Sequence, residues 1–128
     1  MLDNPDALIV STEAHDIRGR AALLTLPGDG TGRISLVPLL EELARRECNE
    51  VLFECGPTLA GSAVAAGIVD ELVVYAAPVM LGPDARALLN LPKIGKMRDR
   101  IEWIWSTFRR IGDDVRLTLV PGDRLSGE

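Results

Sequence analysis

The stretch from Val51 to Leu81, VLFECGPTLAGSAVAAGIVDELVVYAAPVML, constrains this chain more than any other. An apolar run ending in Glu54 breaks at Gly56-Pro57. A run of small residues follows and stops at Gly67. A longer apolar run then leads to Gly82-Pro83. Short apolar runs bounded by glycine and proline read as strands, and the small-residue run between them reads as a short helix with Gly67 at its C-terminal cap. Strand, helix and strand in direct succession commit this region to an α/β arrangement.

The flanks extend the same pattern. ALIVST (Ala7 to Thr12) and AALLTLP (Ala21 to Pro27) read as two more buried strands, and GDGTGR (Gly28 to Arg33) as a loop. ISLVPLLEELARRECNE (Ile34 to Glu50) reads as a helix. Ser35 is placed to cap it, and Pro38 sits in the first turn, where a missing N–H costs little. Leu36, Leu39, Leu40, Leu43 and Ala44 form one apolar face. Glu41 and Glu42 stand four residues before Arg45 and Arg46, the helical ion-pair spacing, and Cys48-Asn49 end the helix. VLFECG (Val51 to Gly56) is then strand three, Val69 to Leu81 a long fourth strand, and Asp84 to Leu91 a helical turn capped by Asp84. The last stretch, IEWIWSTFRRIGDDVRLTLV, reads as two strands around Gly112 to Asp114, a hairpin signal. The sheet is expected to be parallel at first and antiparallel at its end.

A chain of 128 residues suits one domain spanning 1–128. Its formal net charge of -5 argues against nucleic acid and anionic membranes as partners. No apolar segment approaches the roughly 18 uninterrupted residues of a membrane span, and the N-terminus lacks the basic region of a signal peptide. Cys48 and Cys55 fit neither a zinc knuckle nor a redox pair, so they are read as reduced thiols of a cytoplasmic protein, with no metal site expected. His15, the sole histidine, is read as a loop residue. Trp103 and Trp105 alternate along their strand and are expected in a core or a subunit interface. Asp70 is read as capping local backbone, and Arg109 and Arg110 as a solvated hairpin end.

The chemistry concentrates in FECGPTLAGS, Phe53 to Ser62. The first turn of a helix carries unpaired N–H donors and the positive end of the helix dipole. Gly56, Thr58 and Gly61 let an anion approach the backbone, and Thr58 and Ser62 add hydroxyls, so a phosphate or pyrophosphate is the natural guest. Glu54 stands at the strand edge where ligands bind in open α/β sheets. The competing reading is a plain strand-to-helix turn in which Ala60 and Gly61 allow close packing and Glu54 reaches solvent. Neither the Rossmann glycine pattern nor a Walker A lysine is present.

Val51 to Gly82 resembles the hallmark of the riboflavin-biosynthesis pyrimidine reductases, the C-terminal domain of the bifunctional pyrimidine deaminase/reductase. Glu-x-Gly-Pro-x-Leu, a small-residue helix, Val-Asp-Glu-Leu and Ala-Pro-x-x-Leu-Gly all occur in order. FRRIGDDVRLTL is similar to that family's closing hairpin. The resemblance implies a dihydrofolate-reductase-like three-layer α/β/α mixed sheet with a C-terminal antiparallel hairpin. It implies NADPH-dependent reduction of the ribosyl group of 5-amino-6-(5-phosphoribosylamino)uracil to the ribitylamino form. Glu54 would contact substrate, and Gly56, Pro57, Thr58, Leu59, Ala60, Gly61 and Ser62 would line the cofactor site. No catalytic acid is identified. The zinc signature of the deaminase half is absent, and that domain is expected upstream in a full-length protein. The family's leading strand and its glycine-rich loop also lie before the matched region, so the reductase domain is expected to be partial, its isolated chain to bind NADPH weakly and to reduce little or nothing, and a homodimer to form across the bare sheet edge. The alternatives are another dihydrofolate-reductase-like reductase of a pteridine or pyrimidine, and a nucleotide-binding remnant without catalysis.

Overall fold

The computed structural model describes residues 3–122, so residues 1–2 and 123–128 of the expected 1–128 domain lie outside the described residues. The chain divides into two compact units between Leu52 and Phe53.

The first unit holds β1 (Leu8–Ser11), β2 (Ala22–Thr25) and α1 (Leu36–Arg45). The two strands pair in parallel, with Ser11 opposite Thr25. Between β2 and α1 the loop Gly28 to Arg33 closes on itself. Asp29 Oδ1 accepts hydrogen bonds from the Thr31 N–H (2.8 Å), the Thr31 hydroxyl (2.6 Å) and the Arg33 N–H (3.2 Å). The Thr31 hydroxyl, then the Thr31 and Arg33 N–H groups and the Arg33 charge, hold the Asp29 carboxyl below its ordinary value.

Ser35 occupies the N-cap position of α1, but its hydroxyl makes no cap bond. Glu42 pairs with both Arg46, at 2.9 Å, and Arg45. Of the expected four-residue pairs, only Glu42–Arg46 forms among the described residues. The bond from Arg46 lowers the Glu42 carboxyl pKa most. The helix stops before Cys48-Asn49, because Glu47 takes a left-handed φ of 64°. The Glu47 N–H donates to Ala44 O and the Cys48 N–H to Leu43 O, the paired bonds of a Schellman ending.

The second unit holds α2 (Pro57–Ala65), β3 (Leu72–Ala76), a 3-10 turn (Met97–Asp99), β4 (Trp103–Ile111) and β5 (Asp114–Pro121). Its sheet is antiparallel in the order β3-β5-β4. The closing hairpin turns at Gly112, φ 62°, as the Gly-Asp-Asp signal predicts. Gly67, φ 67°, ends α2 with the same Schellman bonds, Gly67 N–H to Val64 O and Ile68 N–H to Ala63 O. Ala63, Val64 and Thr118 are the buried centre, along with Gly61.

Three expected elements change. Val51 to Gly56 is not a strand. Its apolar residues satisfied the pattern, but a strand exists only through a ladder, and neither sheet takes this segment up; Leu52 is 80% exposed. The long strand from Val69 shrinks to Leu72–Ala76. Pro78 has no N–H to donate to a ladder, and beyond it Met80 is 99% exposed. The helical turn expected from Asp84 is a single turn closed by Ala85 N–H to Gly82 O.

Within β4 the register slips between Trp105 and Thr107. Trp105 sits opposite Leu119, and Phe108 opposite Leu117. The bulge therefore puts Phe108 on the same face as Trp105, which strict alternation would forbid. Leu72 and Val74 of β3 join that face through their pairing with Leu119 and Leu117. Trp105 is 64% and Phe108 71% exposed.

Candidate functional site

The candidate residues lie on the lead-in to α2 and its first two turns. Gly56 is the N-cap, in extended backbone, and Pro57 is the first helical residue. Proline suits that position because its φ is already helical and its N–H would be an orphan anyway. No side chain caps the helix, so the N–H groups of Thr58 and Leu59 lack the intrahelical partners that later residues have. A Cβ built at Gly56 would meet nothing within 4 Å. Gly56 and Thr58 are exposed, and Pro57 is half-buried. The open backbone, the free donors and the positive dipole end fit a phosphate group.

Gly61 is different. A Cβ there would stand 2.6 Å from the Asn90 carbonyl carbon and closer still to its oxygen. Asn90 also donates its N–H to Pro57 O at 2.9 Å and its Nδ2 to Thr58 Oγ1 at 3.1 Å. Gly61 is buried under this crossing segment. Its smallness serves a close backbone contact, as the packing alternative anticipated.

The two hydroxyls also separate. Ser62 Oγ donates to Thr58 O at 2.9 Å within the helix, so its proton is in use. Thr58 Oγ1 accepts from Asn90, and its own proton has no acceptor among the described residues. Glu54 is exposed and makes no hydrogen bond or ion pair among the described residues. Leu59 is exposed and Ala60 half-buried. Asn90 was not anticipated. Gly61 implied that something packs closely, but nothing in ALLNLPK marks Asn90 as the partner.

A cleft of about 760 Å³ lies at the other end of α2, lined by Val64, Gly67, Arg100, Trp103 and Gly122 among others. Helix C-termini carry the negative end of the dipole, which disfavours a phosphate, and Arg100 there already pairs with Glu102. The chemistry therefore points to the N-terminal turn rather than to this cleft.

A family model described as the RibD C-terminal domain matches residues 2–117. The chain is 45% identical over 89 residues to the riboflavin biosynthesis protein RibD of Escherichia coli, covering 70% of this chain and 24% of that protein. It is 33% identical over 93 residues to the 5-amino-6-(5-phosphoribosylamino)uracil reductase of Buchnera aphidicola, covering 73% of this chain and 45% of that protein. Among solved structures, Acinetobacter baumannii RibD superposes with a TM-score of 0.75 at 25% identity, over 94% of this chain and 32% of that one. The chain thus spans from about a quarter to under half of the length of the curated relatives named here. The mixed α/β, dihydrofolate-reductase-like fold is shared with that structure.

Proposed function

The chain belongs to the RibD C-terminal domain family, and on that premise we propose that it is the reductase part of a riboflavin-pathway enzyme. The reaction is NADPH-dependent reduction of the ribosyl group of 5-amino-6-(5-phosphoribosylamino)uracil to the ribitylamino form. The observation that carries this reading is the uncapped first turn of α2, with open space at Gly56, standing inside the motif that resembles the pyrimidine reductases.

In this reading Gly56, Thr58 and Leu59 offer backbone N–H groups to the cofactor pyrophosphate, and Thr58 adds its hydroxyl. Pro57 sets the helix entrance. Ala60, Gly61 and Ser62 hold the turn in shape from behind. NADPH supplies the hydride once bound. Glu54, free and exposed beside this turn, contacts the substrate. A pyrimidine deaminase domain is the expected partner in a full-length protein.

A second copy of the chain is the proposed partner of the β3-β5-β4 sheet face. Leu72, Val74, Leu117 and Leu119 share that face with the exposed Trp105 and Phe108, and an apolar patch of this kind marks an interface. The cytoplasmic assignment is supported by two exposed cysteines, Cys48 and Cys55, neither in a disulfide. No helix among the described residues is long and apolar enough to cross a membrane.

The test is NADPH consumption on addition of 5-amino-6-(5-phosphoribosylamino)uracil, followed by loss of NADPH absorbance. Little turnover is expected of the isolated chain, falling at least about tenfold further in Glu54→Gln through loss of a charged hydrogen bond to substrate. NADPH binding without turnover of this or a related pyrimidine would favour the nucleotide-binding alternative.

A further inference from the structure

We propose that Asn90 is a positioning residue that keeps the Thr58 hydroxyl proton available for an incoming phosphate. The inference rests on the cofactor reading above and assigns a role to a residue outside the recognised motif. Asn90 lies 32 positions from Thr58, in a segment, residues 77–96, with no helix or strand.

Three independent contacts set its place. The Asn90 N–H donates to Pro57 O, its backbone packs where Gly61 leaves room, and Nδ2 donates to Thr58 Oγ1. The side chain is therefore delivered to the first turn of α2 by its own backbone.

The chemistry follows from the hydroxyl inventory. A threonine hydroxyl has one proton to give and two lone pairs to receive with. Asn90 Nδ2 fills a lone pair, so the proton remains for another acceptor. Ser62, the other hydroxyl of the turn, has its proton engaged by Thr58 O. Thr58 is thus the side-chain donor of this turn, and Asn90 determines which way it donates. An oxygen at the Nδ2 position would reverse the bond and draw the proton away from the ligand. A carboxylate would also bring a negative charge to the site.

The experiment is a titration of the chain with NADPH to millimolar concentration. Amide NMR shifts of Gly56, Thr58 and Asn90 report binding, and thermal melting is recorded separately. Thr58→Val is expected to weaken binding about tenfold, the loss of one hydrogen bond to a charged group. Asn90→Asp should weaken it at least as much, and Asn90→Ala several-fold, while Asn90→Asp retains its backbone bond to Pro57 and melts near the wild type. Because Asn90 acts through Thr58, adding Asn90→Ala to Thr58→Val should cost nothing further. If Thr58→Val weakens binding and the Asn90 variants do not, or if the two losses add, the assignment of Asn90 is wrong. If NADPH moves none of these amides in the wild type, or Thr58→Val binds as the wild type does, the cofactor reading fails and takes this proposal with it.

Discussion

Two glycine-bearing turns lead into α1 and α2, and they are completed in opposite ways. In Gly28 to Arg33 the loop carries its own anion. Asp29 gathers the Thr31 and Arg33 N–H groups and the Thr31 hydroxyl, the kind of donors a phosphate would use. At Gly56-Pro57-Thr58 no internal carboxylate does this, and the helix entrance stays uncapped. The glycines differ as well. Gly30 and Gly32 serve left-handed backbone, with φ of 85° and 83°, whereas Gly61 serves a contact with a distant segment. Glycine content alone does not mark an anion site; what matters is whether the loop already satisfies its own donors.

Gly61→Ala should separate the two turns most strongly. The new methyl would meet backbone atoms of Asn90, which cannot rotate away as a side chain could. The loss in stability is expected to be about 3 kcal/mol. Gly56→Ala, at a position with open space and ordinary φ, should stay within about 1 kcal/mol of the wild type. Denaturant melts of the two variants decide it, and similar values would mean that Asn90 does not pack as described.

A smaller effect separates the two helix ends. Both stop in Schellman geometry, but α1 places Glu47 in the left-handed position that α2 gives to Gly67. Glu47→Gly is expected to raise stability by roughly 0.5 kcal/mol, and Gly67→Ala to lower it by about 1 kcal/mol. Opposite signs in thermal melts support the shared geometry; the same sign in both would refute it.

The smallest effect is the pH dependence of the first loop. The folded pKa of Asp29 lies below its ordinary value. Its contribution is therefore complete above the ordinary carboxylate range. It declines as pH falls through that range and is gone below the folded value. Wild type and Asp29→Asn should differ in melting temperature at neutral pH and converge in acid. A gap that persisted in acid would show that the carboxylate charge is not what closes the loop.

Much of the candidate site was legible because it depends on neighbouring residues. Gly56-Pro57 starts a helix wherever it stands before a helical run, since proline supplies the φ and lacks only an orphan N–H. Gly67 ends the helix for an equally local reason, and Gly112 turns the hairpin. The reductase motif is likewise contiguous, which is why it could be recognised without coordinates. Ser62 shows the limit: it carries a hydroxyl of the right kind, yet that hydroxyl is engaged within its own helix.

Local residue order alone set where α2 begins and ends, where the closing hairpin turns, and that a helix start with free N–H donors lies within a reductase-like motif. Each depends on backbone preferences that act over a few residues. Tertiary structure alone decided that Val51 to Gly56 joins neither sheet, that a bulge aligns Phe108 with Trp105, and that Asn90 fills the space beside Gly61. Those outcomes depend on hydrogen-bonding and packing partners that the chain brings together from far apart, and no local pattern of residues encodes the partner's identity.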